Sequence, residues 1–237
     1  MSKIIKAACL TVLSQIAFSA FAVQVNTTEL FVSCDEPNTY TKILNETNDR
    51  VFLTIESGEY LYDDSRKLTG KKSSYKDGKF KNVGMIVSPS KGILGPKEER
   101  RVNFNLFENS CSAKTDKLYS VSYVPSGVPG EPNTMKLMVG IGGIVTVMPK
   151  DPKLSFEFTS LKDEVEIENT GNSVIKGEIH KCDSSDKKCV SSFRVHHTRT
   201  FSVPKNILES ATKLILTAPS NPDWKVEMSD DEIKKLI

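Results

Sequence analysis

Apolar residues recur at every second position, in runs of only three or four, along almost the whole chain. Val51, Leu53 and Ile55 alternate with Phe52, Thr54 and Glu56; Val102, Phe104 and Leu106 with Asn103 and Asn105; Tyr119, Val121 and Tyr123 with Ser120 and Ser122. A period of two puts alternate side chains on one face of an extended strand, so each run reads as a strand with one face toward a core. Turn-rich stretches separate them: Asn45-Glu46-Thr47-Asn48-Asp49, Lys76-Asp77-Gly78-Lys79, and a proline-rich loop over residues 126–133. No convincing long 3.6-residue periodicity precedes the tail, so the chain reads as all-β, built of sandwiches. Pro149-Lys150-Asp151-Pro152 is the best domain boundary, because two prolines fix φ and remove two backbone donors. Beyond it the pattern resumes with Leu154, Phe156 and Phe158, then Val165 and Ile167, a turn at Asn169-Thr170-Gly171-Asn172, and Ile175, Gly177 and Ile179. The expected domains are residues 23–149 and 150–237. At the tail, Ser229 and Glu232 have the spacing of a capping box and predict a short helical turn, expected to fray.

Residues 1–22 carry Lys3 and Lys6, then an apolar run that ends in Ser19-Ala20-Phe21-Ala22, the grammar of a cleaved secretory signal peptide. The run holds Thr11, Ser14, Gln15 and Ser19 and is shorter than the roughly 20 apolar residues of a spanning helix, so no stable membrane insertion is expected. The 32 basic and 30 acidic residues nearly cancel, and no basic stripe suggests a nucleic-acid partner. Cys9 leaves with the leader; the even count that remains reads as disulfides in an oxidising compartment. Cys182 and Cys189 flank a polar turn between two alternating runs, where a bond across a hairpin end is easy to form, and Cys34 and Cys111 are the remaining pair. The competing reading, a half metal site of these cysteines with His180, fits no common zinc spacing.

Gly140-Ile141-Gly142-Gly143 is followed by the β-branched run Ile144-Val145-Thr146-Val147, not by a helix, so it is no phosphate loop; its glycines mark a bulge or a close backbone approach. His196 and His197 are adjacent, point to opposite faces of a strand, and read as surface or edge histidines. No nucleophile motif is present and no enzyme is expected. Met135, Leu137, Val139 and Ile141 fall on one face of a strand whose other face, Lys136, Met138 and Gly140, is not cleanly polar. Two readings stay open: an interior strand with both faces covered, or an edge strand offering its apolar row to a partner by β-augmentation.

The order of motifs resembles the periplasmic assembly chaperones of the chaperone–usher pathway. Met85-Ile86-Val87-Ser88-Pro89 followed by Leu94, the Pro96 turn and the basic Arg100-Arg101-Val102 is similar to their central signature. Glu168-Asn169-Thr170-Gly171-Asn172 and the Cys182–Cys189 hairpin resemble the second domain of the alternate class serving coli-surface-antigen-type fimbriae. The resemblance implies two immunoglobulin-like sandwiches in a boomerang, located in the periplasm, that bind and cap pilus subunits and deliver them to an outer-membrane usher, with no cofactor, no ATP and no covalent catalysis. It implies that Met135, Leu137, Val139 and Ile141 form the donated strand. It leaves open self-association of the free protein through that strand.

Two departures stand out. Such chaperones anchor the subunit's terminal carboxylate with an Arg in the first strand and a Lys near the end of the donor strand; here residues 24–33 contain neither, and Ile144 stands five before Pro149. Lys42, Arg100 and Arg101 are the candidate replacements, against the reading that each is a solvated strand charge. The Pro96 turn also carries Lys97 where the family usually has Gly. The runner-up function is a structural or adhesive sandwich subunit of a surface fibre; a third, a ligand- or metal-binding sandwich, rests on His180 and the cysteines.

Overall fold

The computed structural model describes residues 23–35, 39–62, 68–74, 84–130, 139–182 and 187–237. The expected leader, the Lys76–Lys79 turn, and Met135 and Leu137 of the candidate donor row lie outside these residues. Two hydrophobic cores are present. Around the first are β1 (Val23–Val25), β2 (Glu29–Val32), β3 (Tyr40–Asn45), β4 (Val51–Tyr62), β5 (Leu68–Ser74), β6 (Met85–Ser88), β7 (Lys91–Leu94), β8 (Glu99–Leu106), β9 (Lys117–Ser126) and β10 (Ile141–Val147). They form one sheet in the order β1-β3-β8-β6 and a second in the order β2-β10-β9-β4-β5, with β7 also on β4. The alternation read from sequence is the burial pattern observed: Val51, Leu53 and Ile55 are buried, as are Val102 and Phe104, and Tyr119, Val121 and Tyr123. Burial pushes the Tyr123 hydroxyl up to about 12. Tyr119 is also pushed up by burial; its hydroxyl donates to Glu59 at 3.3 Å and meets Ser110 Oγ at 2.7 Å.

Around the second core are β11 (Phe156–Ser160), β12 (Glu164–Asn169), β13 (Ile175–His180), β14 (Val190–Val195), β15 (Thr200–Pro204), β16 (Lys213–Ala218) and β17 (Asn221–Ser229). Their sheets run β11-β12-β15 and β14-β13-β16-β17. The chain is therefore all-β, two immunoglobulin-like sandwiches. Cys34 is bonded to Cys111 and Cys182 to Cys189, with Cα separations of 5.5 and 5.7 Å, so the second pair offers no thiolate to a metal. The tail forms a helical turn, α3 (Asp230–Ile233), after α1 (Glu108–Cys111) and α2 (Lys205–Glu209). Glu232 accepts from the Ser229 N–H and hydroxyl, closing the capping box. The turn is not frayed: Ile233 is fully buried, and Leu236 and Ile237 pack on the same core. Lys97 has φ 56°, in the left-handed region where glycine is favoured.

The sandwiches meet through a polar joint made by two turns. Asn169, fully buried at the end of β12, donates to Ser173 O and Val195 O, both at 2.8 Å, and accepts from the Gly171 N–H at 3.0 Å. That fixed turn presents Asn172, whose side chain accepts from the Lys153 N–H at 2.5 Å and donates to Asp151 O and to Lys114 O of the first sandwich. Gly171 is required here because a Cβ would lie 2.2 Å from Lys153 O. The Asp116 N–H donates to Asn172 O, and the buried Asp116 carboxylate accepts from His196 Nδ1 at 3.2 Å and from the His197 N–H at 3.3 Å. His197 Nδ1 donates to Gly171 O. The two histidines are thus not surface residues: they follow β14 and are half-buried in the joint. Pairing a buried carboxylate across it offsets the cost of desolvating that charge.

Candidate partner-binding edge and interdomain cleft

β10 has two different edges. Along one, Ile141 to Val147 pair antiparallel with β9 from Tyr123 to Lys117. Along the other, β2 pairs in parallel, but only from Ile144 opposite Glu29 to Val147 opposite Val32. Upstream, at residues 141–143, that edge has no strand beside it among the described residues. The Ile144 N–H donates to Thr28 O at 2.7 Å and the Met148 N–H to Val32 O at 2.9 Å. Strand alternation therefore turns the Gly142 N–H toward the same, open, side. At the junction a Cβ on Gly143 would stand 3.0 Å from Thr28 O, a tight approach to the backbone of the residue before β2. This is the close backbone approach that the glycine run suggested.

Side chains on β10 divide by parity. Val145 and Val147 are buried and Ile141 is half-buried against the first core, whereas Val139, on the same parity but ahead of the paired segment, is 61% exposed. Ile141 thus differs from the expectation that the whole row points outward: the pleat carries it over the core's rim. Val124 on β9, 42% exposed, is an apolar neighbour that sequence reasoning did not single out; it lies 3.9 Å from where a Gly140 Cβ would stand.

Where the open edge stops, a cleft of about 330 Å³ opens between the sandwiches. Its floor is the outer face of the β2-β10-β9-β4 sheet, with Ser120, Ser122, Gly142 and Ile144; Tyr60 and Glu29 line it from the first sandwich and Arg194 from β14 of the second. Arg194 Nε stands 2.6 Å from Glu29 Oε1. Close by, the Lys176 ammonium lies over the Phe31 ring at 5.2 Å, a second contact between β2 and the second sandwich.

None of the three cations expected to face the cleft lines it. Lys42 on β3 is exposed and paired with Glu99 at 2.8 Å, which holds its ammonium above the usual range. Arg100 on β8 bonds Glu98 at 2.5 Å and Ile93 O at 2.8 Å; Arg101, also on β8, stacks on Tyr40 at 3.7 Å and donates to Asn103. All three belong to the four-stranded sheet, on the other side of the first core from the cleft. Glu98, hydrogen-bonded by the Gly95 N–H and by Arg100, is held below the usual carboxylate range. The cation that does line the cleft, Arg194, comes from the second sandwich.

No family model and no curated protein matches this sequence. Among solved structures, the chain is similar to the class 5 fimbriae chaperone CfaA, at TM-score 0.58 and 10% identity, over 88% of this chain and 98% of that one. It is similar to a chain of the Salmonella enterica SafA pilin in complex with the SafB chaperone, at 0.59 and 10%, over 90% and 98%. It also matches the E. coli chaperone DraB, at 0.55 and 10%, over 88% and 97%. At such identity the likeness is one of fold, and it extends over both sandwiches: this chain has the two-sandwich fold of fimbrial chaperones.

Proposed function

We propose that this protein is a periplasmic chaperone that captures fimbrial subunits by lending them a strand, caps them, and passes them to an outer-membrane usher. The observation that carries the reading is the half-open edge of β10, paired by β2 only from Ile144 onward and preceded by the exposed Val139. A subunit whose own sheet lacks a strand exposes a groove and unpaired backbone edges that favour aggregation. An added strand satisfies those groups, and each large apolar side chain it buries contributes about 1.5–3 kcal/mol before the cost of association. The donated side chains in this reading are Met135, Leu137 and Val139, with Ile141 at the rim. Solved structures of the same fold include a chaperone bound to a pilin, which supports the assignment. The reaction is binding and release, which needs no covalent step. A fibre subunit is the weaker alternative, because both sandwiches here are accompanied by the polar joint that sets one against the other.

The test is Val139→Asp, with Leu137→Asp beside it. Val139 contributes nothing to the first core, so the variant should keep wild-type circular dichroism and melting while losing co-purification of a fimbrial subunit from periplasm, since a charge would enter an apolar groove. Unchanged capture by both variants would remove the donor-strand reading.

A further inference from the structure

The second sandwich ends in an edge that matches itself. β17, nine residues long, is the longest of the outermost strands, and among the described residues no strand pairs its outer side. Its side chains divide by parity: Trp224, Val226 and Met228 turn toward the second core but are only half-buried, while Asp223, Lys225 and Glu227 are exposed on the outer face. The inward row continues across the sandwich, where the Trp224 ring meets Phe156 at 6.1 Å and Phe156 meets Phe158 at 5.2 Å, all three partly exposed. The edge thus offers unpaired backbone with an apolar seam behind it and a charged row in front.

Those charges restrict what can pair there. Read along β17 the outer row is acid, base, acid, and one antiparallel register of the strand with a copy of itself satisfies both rows. Centred on Val226, that register sets Lys225 opposite Glu227 of the second copy twice over, while Trp224 meets Met228 on the inward face in both directions. Centred on Lys225, the pairing opposes Asp223 to Glu227; centred on Glu227, it opposes that acid to itself; centred on Trp224, it pairs Val226 with Pro222, which has no N–H to give. The favoured register is self-complementary, so a two-fold axis through Val226 relates the copies and the contact closes on itself. We propose that the protein self-associates through β17, two copies joining their four-stranded sheets edge to edge into one sheet whose apolar seams meet on the same face. In the single chain Lys225 lies 2.5 Å from Glu227 on an exposed surface, where such a pair is worth little, so exchanging it for a cross-strand partner costs little. β17 and the open edge of β10 belong to different sandwiches, so the dimer leaves strand donation free to occur and does not depend on it.

Sedimentation equilibrium across micromolar concentrations should show monomer and dimer in exchange for the protein purified from periplasm. Lys225→Glu opposes acid to acid and Glu227→Lys opposes base to base, so each alone should dimerise about tenfold more weakly, as two attractive cross-strand pairs become repulsive. Mixed in equal amounts, the two variants restore both opposite-charge pairs and should associate with each other as tightly as wild type does with itself. Lys225→Glu combined with Glu227→Lys in one chain keeps the composition of β17 and should also dimerise as wild type does, which covers the case of a single variant that fails to fold by circular dichroism. A wild type that is monomeric throughout, single variants that dimerise as well as wild type, or a mixture or a double variant that stays monomeric overturns the β17 contact. So does a dimer that Val139→Asp abolishes, which would place the contact on the first sandwich instead.

Discussion

Asn169→Asp tests whether the joint between the sandwiches is held by the turn that the sequence places at residues 169–172. The side chain is fully buried, and its Nδ2 donates two hydrogen bonds of 2.8 Å, to Ser173 O and Val195 O. Aspartate keeps the shape and the oxygen that accepts from the Gly171 N–H, but it loses both donors and sets a carboxyl oxygen against two carbonyl oxygens. Stranding a buried polar group costs about 1–3 kcal/mol, so two of them cost about 2–6 kcal/mol, a large part of the stability of a single domain. Trp224, the only tryptophan, packs against the second core with its ring 6.1 Å from that of Phe156, so its fluorescence in urea reports that sandwich alone. The expected result is a Trp224 transition shifted to lower urea by that amount. Asn45→Asp makes the corresponding change in the first sandwich, where Asn45 Nδ2 donates to Asp49 O and Gly95 O at 2.8 Å, and should leave the Trp224 transition nearly in place. If Asn169→Asp lies within about 1 kcal/mol of wild type, the turn is not held by these bonds and the account of the joint fails.

Two further outcomes follow from closed loops and paired charges. In the chain-entropy account, Cys111→Ser opens a loop of separation 77 and should cost the first sandwich about 4.5 kcal/mol, against about 2.4 kcal/mol in the second for Cys182→Ser with separation 7; equal losses in urea melts would contradict it. Glu227 accepts hydrogen bonds from Lys213 and Lys225, which lower its carboxyl from 4.5 to about 2. A depressed folded value stabilises above the ordinary value, and the gain disappears as pH falls from 4.5 to about 2. Glu227→Gln should therefore melt below wild type near neutral pH and together with it below about pH 2; a difference that persists in acid would point to a cause other than ionisation.

The sandwiches were legible because burial on one face of a strand writes itself into the chain every second residue: the rows through Val51, Val102, Tyr119, Val165 and Ile175 are the buried rows of the two cores. The disulfides were legible for a related reason, since a seven-residue spacing across a polar turn leaves few geometries. Charge positions were not. Lys42, Arg100 and Arg101 differ little in sequence context from Arg194, each a basic residue on an alternating strand, and only the stacking of one sandwich on the other decides which faces a cleft. His196 and His197 read as surface residues for the same reason, because their partner Asp116 lies on the other sandwich. Glu29 was visible only as the absence of an Arg or Lys in the first strand.

That acid has a meaning that residue substitution alone does not convey. β2 is short, and where it begins sets how much of β10 is left open. Its far end is fixed covalently, since Cys34 follows Val32 closely and is tied to Cys111, and its near end is fixed by Glu29 against Arg194 and Phe31 beneath Lys176. A shift of β2 along β10 by one residue would turn its half-buried Leu30 out of the first core and move Glu29 away from Arg194. The length of the free edge is thus set by contacts to the second sandwich as well as the first. This gives the second sandwich, which contributes no strand to that edge, a physical part in setting where the open edge stops.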